Sequence, residues 1–253
     1  MPGIWVVDGV DLRISDIRLE LGAEGLVPSS PKLDLRLELW RYWLIEAVSA
    51  AIEAAGIAPK LSAEVLATDR EEAAQLLINE FRASMRAITS AAFAIDAFYA
   101  SVKVRSPDRP CPDAWSEKRP SRHQQVAETL KHHLRITKND QSKEISKRVK
   151  EIFGLRNSAV HPGSRFKNPA YREDLDAHVD WHFNAFCATN AVAGVAKTVQ
   201  LLDFLVAVLD RGSKELAEWK PYARSAMNQI LDTYEASDKL IPIDRVEPSS
   251  YDV

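Results

Sequence analysis

From residue 69 to about 103 the sequence holds a helical period for roughly nine turns, a rod around which any fold of this chain has to be organised. Asp69 offers a side-chain cap, and Glu72 three positions on completes the spacing of a capping box. Leu77, Glu80, Ser84, Ala87, Ala91, Ile95, Phe98 and Val102 fall along one strip of that rod. Its many alanines let neighbouring backbones approach closely, which points to a bundle of helices. Asp96 interrupts the apolar zone, either as one half of a structural salt bridge or as a group that aims a catalytic arginine or histidine.

The other elements read more briefly. Ile4 to Val7 and Val10 to Ile14 are strand-like runs joined at Asp8-Gly9, a tight-turn signal, and residues 17–21 alternate as a third candidate strand. A lone hairpin is marginal in water, so this ribbon must lean on helices or on a second copy. Ser30-Pro31 reads as a helix opening, with helical spacing to Gly56, although Leu33, Leu35, Leu37 and Leu39 also alternate as a strand would. Trp40 and Trp43 are expected in the core. Residues 106–120 are a proline-rich loop containing Trp115. Further helices are expected over 121–138, 141–160, 173–209 and 213–236, followed by a tail. The expected fold class is mainly α, an antiparallel helical bundle with a small N-terminal β-hairpin or ribbon. It divides into 1–66 (ribbon plus helix), 67–210 (bundle) and 211–253 (helix and tail).

Composition excludes several classes. The 253 residues, 46% hydrophobic, suffice for a full core. Cys111 and Cys187 lie far apart, with no paired metal spacing and no secretory leader, so a reducing, cytoplasmic setting is expected. Residues 185–209 are the most apolar stretch, but Lys197 and Asp203 interrupt them, which argues against a membrane span and for a soluble protein. The net charge of −3 is unevenly spread. Residues 131–167 carry ten Lys or Arg against three acids, a local balance of +7 that leaves −10 for the rest. Contact with a polyanion should therefore be confined to this quarter, with Lys147, Arg148, Lys150, Arg165 and Lys167 as the candidate RNA-binding residues. The alternative is that Lys143, Lys147, Arg148 and Lys150 are simply the solvated face of a helix.

Within that quarter, Pro162 and Gly163 end a helix near Val160 and leave His161 at its exit. Arg156 and His161, five apart, would diverge on an unbroken helix, but the Pro-Gly break lets the histidine swing back. Asn157 is four residues before His161 and would share its face. A second match to this arginine-to-histidine spacing, Arg172 to His178, has Glu173 in place of the polar neighbour and no helix stop, and is read as chance. His178 and His182, four apart on an expected helix, raise the question of zinc; no third ligand is identifiable, so no metal is assigned.

The segment from Leu155 to Gly163, with Arg156-Asn157, a short spacer and His161, resembles the signature of the HEPN family (higher eukaryotes and prokaryotes nucleotide-binding domains). The alanine- and aromatic-rich run from Phe81 to Tyr99 is similar to the family's first helix, and the resemblance covers about residues 69–210. It implies a HEPN-type helical bundle in which Arg156, Asn157 and His161 are the catalytic residues. The implied activity is that of a metal-independent endoribonuclease, toxin or defence RNase, in which two subunits bring their motifs together in a cleft. A homodimer acting on RNA without a cofactor follows, with a nucleotidyltransferase-type antitoxin as a possible partner. Other members are inactive, which leaves a nucleotide-binding or protein-interaction module as the alternative. RNA carries its own nucleophile, so arginine on the phosphate and histidine moving protons would suffice.

Overall fold

The computed structural model describes residues 4–6, 10–16, 19–22, 25–28, 32–106, 120–137, 140–160 and 168–246. His161, Arg165 and Lys167 lie outside the described residues, as do Cys111, Trp115 and the rest of 107–119.

The long rod is α3, Arg70–Val104. The Asp69 carboxylate accepts from the backbone N–H of Glu71 at 3.1 Å and of Glu72 at 2.9 Å, satisfying two of the donors a helix start leaves open. From Glu80 to Val102 the strip anticipated in the sequence is buried. Helix α1 (Leu39–Ile57) lies along α3, and its Ala47, Ala50, Ala51 and Ala54 are wholly buried, as are Ala83, Ala87 and Ala91 of α3. Small residues on both helices are what permit so close an approach.

Beyond the short α2 (Ala63–Thr68), the bundle is completed by α4 (Arg122–His133), α5 (Asp140–Val160), α7 (Ala188–Ala207) and α8 (Lys214–Glu235). One core runs through them from Trp40 to Leu240. Trp40 meets Phe98 edge-on at 5.5 Å and Phe98 meets Trp219 at 5.6 Å, so three aromatics join α1, α3 and α8. Asp96 proves structural: it pairs with Arg122 at 2.5 Å, and that guanidinium lies 4.8 Å from the Tyr99 ring, fastening the start of α4 to α3. α3 and α7 are each long and apolar enough to cross a membrane, but 56% and 67% of their apolar windows are buried among other helices. Asp203 of α7, 1% exposed, is neutralised there by Arg224 and by the backbone N–H of Val246.

Several expectations need correction. Ser30 and Pro31, expected to open a helix, lie outside the described residues, and no helix runs from Lys32 to Leu37. Lys32–Leu37 is strand β5, and α1 begins at Leu39. The two-residue alternation of the leucines outweighed the capping signal because a paired strand is available. β5 lies beside β2 (Val10–Asp16), which also pairs with β1 (Ile4–Val6), giving the antiparallel order β1-β2-β5. The register sets Ile4 opposite Leu12 and Leu12 opposite Leu35, so aliphatic positions share one face. Asp11 opposite Arg36 and Arg13 opposite Asp34 share the other. The third candidate strand is β3 (Leu19–Gly22), which pairs not with this sheet but with β4 (Gly25–Pro28). Trp43 is 37% exposed and tilts against Phe93 at 5.0 Å, so of the two tryptophans only Trp40 is core.

The expected helix over 173–209 is broken at its start. Strands β6 (Ala170–Arg172) and β7 (Ala177–Val179) form a hairpin, and a short α6 (Trp181–Ala185) precedes α7. The turn places Asp176 at φ 46°, a left-handed conformation that aspartate tolerates better than most residues. Its carboxylate accepts from the Tyr171 hydroxyl at 2.5 Å. Asp180 then caps α6 by accepting from the backbone N–H of His182 at 2.9 Å. The helix expected over 121–138 likewise stops at His133, with Arg135 left-handed just beyond it at φ 52°.

Candidate functional site

Helix α5 buries Ser142, Ile145, Val149, Ile152 and Phe153. Arg156, four beyond Ile152 and three beyond Phe153, prolongs that inward face. It enters the structure on the apolar side of its helix, half-buried, with its guanidinium carbon 5.1 Å from the centroid of the Phe153 ring. Among the described residues its buried Nε meets no hydrogen-bond acceptor and no carboxylate pairs with it.

The surroundings of Arg156 follow from the way α5 is packed. Arg148 reaches Gln200, Glu151 reaches Lys197, and Ile152 lies against Gly194, so α5 and α7 run antiparallel. Gly194 lies between both helices: a Cβ there would meet Ile152 at 3.4 Å and Ile88 of α3 at 3.9 Å, ordinary contact distances. Glu80 of α3 lies near the start of α7 and Ile88 near its middle, so α3 runs parallel to α7 and antiparallel to α5. Among the described residues the Ser84 hydroxyl of α3 is also buried without a hydrogen-bond partner.

The remaining predicted residues are not gathered in one place. Asn157, Lys147 and Lys150 are exposed, and Lys150 and Asn157, seven apart, share the outer face. Arg148 is about 160° round the helix from Lys150. Its Nε donates to Glu144 at 2.8 Å and another of its nitrogens to Gln200 at 3.1 Å. That hydrogen bond from Arg148 holds the Glu144 carboxyl below its usual range. Helix α5 thus presents Lys147, Lys150 and Asn157 together, turns Arg156 inward, and engages Arg148 elsewhere. The rest of the predicted set, His161, Arg165 and Lys167, falls in the stretch that follows Val160, outside the described residues.

The second arginine-to-histidine match is structural. In the β6–β7 hairpin Arg172 faces Ala177 and His178 faces Tyr171, so strand alternation sends the arginine and the histidine to opposite faces. Arg172 is 6% exposed and donates to Glu80 at 2.7 Å, to Asp174 at 2.5 Å and to the Phe183 carbonyl at 3.2 Å. Burial alone would favour a neutral guanidine, but the bonds to Asp174 and Glu80 outweigh it and hold the proton more tightly than usual. Glu80, 1% exposed, also accepts from the backbone N–H of Ala188 at 3.0 Å. One carboxylate so joins α3, the hairpin and the start of α7.

Sequence reasoning placed Glu80 on the strip of α3 without drawing this consequence. The available signal was a lone acid on an otherwise apolar face, which demands a buried cation. The helical spacing that raised the zinc question is not formed, because His178 is in β7 and His182 in α6. The His182 ring lies 2.6 Å from the Asp180 carboxylate, and the backbone and ring of His182 hold that carboxyl below its usual range. No cluster of three or more His, Cys, Asp or Glu suited to a metal occurs among the described residues. Comparison with protein-family models, with curated proteins and with solved structures returned no match.

Proposed function

We propose that the chain is a HEPN-type, metal-independent endoribonuclease working as a homodimer, with Arg156, Asn157 and His161 as its reacting group. The observation that carries this reading is the state of Arg156. A buried donor left without an acceptor costs about 1–3 kcal/mol. Three other arginines recover such a cost through an acid, Arg105 with Glu38, Arg172 with Glu80 and Arg224 with Asp203, while Arg41, whose Nε is likewise unbonded, donates through another nitrogen to Gln229 at 3.1 Å. Arg156 has no described acid and sits one turn before Val160, the last residue of α5, where an outside anion can take the place of a carboxylate.

In this reading the guanidinium forks onto the non-bridging oxygens of a phosphodiester. The ribose 2′-oxygen bonds to phosphorus as the bond from phosphorus to the 5′-oxygen breaks. One copy's His161 accepts the 2′ proton, and the same histidine of the second copy, protonated, gives a proton to the leaving 5′-oxygen. Asn157 orients imidazole or substrate. Lys147, Lys150, Arg165 and Lys167 hold the flanking backbone, whereas Arg148, engaged by Glu144, is left out of that role. A nucleotidyltransferase-type antitoxin would act by covering this end of α5.

Labelled RNA incubated with excess chelator tests the proposal. The wild type should cut it to products ending in 2′,3′-cyclic phosphate. His161→Ala should abolish cutting and Arg156→Ala should slow it by about 100-fold or more. A diverse RNA panel left intact by the wild type would reject the enzyme and favour the binding or interaction module.

A further inference from the structure

Eight residues back along α5 from Arg156, about 12 Å of helix rise, lies a second and independent feature. A cavity of about 490 Å³ opens between the first half of α5, the C-terminal part of α7 and the stretch around residues 244–246. Ile145, Leu201, Phe204 and Val246 supply apolar lining from all three walls. A volume of this size falls in the range of small-molecule sites, roughly 300–1,000 Å³.

The walls are fixed in place. The third wall is tied down by the Val246 N–H donating to buried Asp203 at 2.8 Å, by Arg245 pairing with Asp232 at 2.7 Å and Glu235 at 2.6 Å, and by the Tyr234 hydroxyl donating to the Ile241 carbonyl at 2.7 Å. The gap between α5 and α7 is spanned by Arg148, held at once by Glu144 and Gln200. The opening therefore keeps its shape without an occupant, and binding there carries little ordering cost.

Charge selects the occupant. Among the described residues, Asp140, Glu144 and Asp244 line the cavity against one cation, Arg148, whose guanidinium already serves Glu144. Asp140 is partly offset by Lys143 at 2.9 Å, an exposed pair that screens weakly, while Asp244 has no described cation. Apolar lining with carboxylates around it and an aromatic ring, Phe204, suits a positive head on a hydrocarbon body. We propose that this cleft binds a small organic cation, a protonated amine carried on an apolar stem. It does not depend on the ribonuclease reading, since none of its residues belongs to the Arg156 motif.

Three probes of equal length and different charge test it on the full chain: 1,6-diaminohexane, 1,6-hexanediol and adipate, each followed by calorimetric titration and thermal shift. The diamine should bind saturably at one site and raise the melting temperature, with no response to the diol or the dianion. Asp244→Asn, at an exposed position outside the core, should retain the wild-type melting temperature without ligand and weaken the diamine about tenfold. Equal binding of the diol, preference for adipate, absence of saturable diamine binding, or undiminished affinity in Asp244→Asn would each overturn the proposal.

Discussion

Arg156 and Arg172 each begin an arginine-to-histidine spacing of the same kind, yet they occupy opposite physical situations. Arg172 is 6% exposed and surrounded by acceptors, with Glu80, Asp174 and the Phe183 carbonyl all within hydrogen-bonding distance. Arg156 is half-buried against Phe153, with its Nε unbonded and no described acid at hand. The lesson is that a motif of two residue types says nothing of whether a charge is already spent. That depends on which acid the rest of the fold brings up to it: for Arg172, a residue 92 positions away on another helix.

The largest expected effect breaks the Arg172 side of the comparison. Arg172→Ala leaves Glu80 charged, buried and short of its cation, which should cost about 3–5 kcal/mol in urea unfolding. Changing both partners, Glu80→Leu with Arg172→Met, should cost less than the two single changes together. A coupling of about 0.5–3 kcal/mol is expected, the remaining loss reflecting the Ala188 N–H left without its acceptor. Strict additivity would mean that the two side chains do not stabilise the fold through each other, and the contrast with Arg156 would collapse.

How far these two regions were legible in advance differs for a physical reason. The α3 rod was readable because its signal is local and repeated: a cap at Asp69, then the same face every third or fourth residue to Val102. For α5 only the helix itself, over 141–160, is read from the sequence; its inward run from Ile145 to Phe153, which Arg156 continues, is a finding of the structure. The hairpin around Arg172 was not. Its strands are three residues each, too short to establish a period, and the turn depends on one left-handed aspartate and on a buried acid far away in the sequence. Periodicity from α7 was therefore extended backwards across it. In the basic run only the grouping of Arg148 with its neighbours changes. Lys147, Arg148 and Lys150 are near neighbours in sequence, but the rotation of the helix and the presence of Glu144 separate Arg148 from the other two.

A smaller effect of opposite sign sharpens the Arg156 side. If Arg156 is held for an outside anion and not for the fold, Arg156→Met keeps the packing on Phe153 and removes an unsatisfied buried donor. Stability should then stay level or rise by up to about 1 kcal/mol. A loss comparable to that of Arg172→Ala would show that an acid from outside the described residues holds Arg156 in a structural pair, and the ribonuclease proposal would lose the observation it rests on.

Arg148 lies between these extremes and supplies the finest test. It has an acid, Glu144, but its side chain is 24% exposed and that of Glu144 is 47% exposed, so solvent screens the pair and its worth should be under about 1 kcal/mol. The hydrogen bond from Arg148 lowers the Glu144 carboxyl below its ordinary value of 4.5. A carboxyl whose folded value is depressed stabilises the fold above its unfolded value, and that contribution disappears as the pH falls through the folded one. The small penalty of Glu144→Gln should accordingly be full at neutral pH, shrink below about pH 4.5, and weaken with added salt. Arg156→Met should show no such acid or salt dependence, because no described carboxylate titrates beside it. If both variants respond to acid and salt alike, the grading of the three arginines by their partners fails at the step that separates the second from the third.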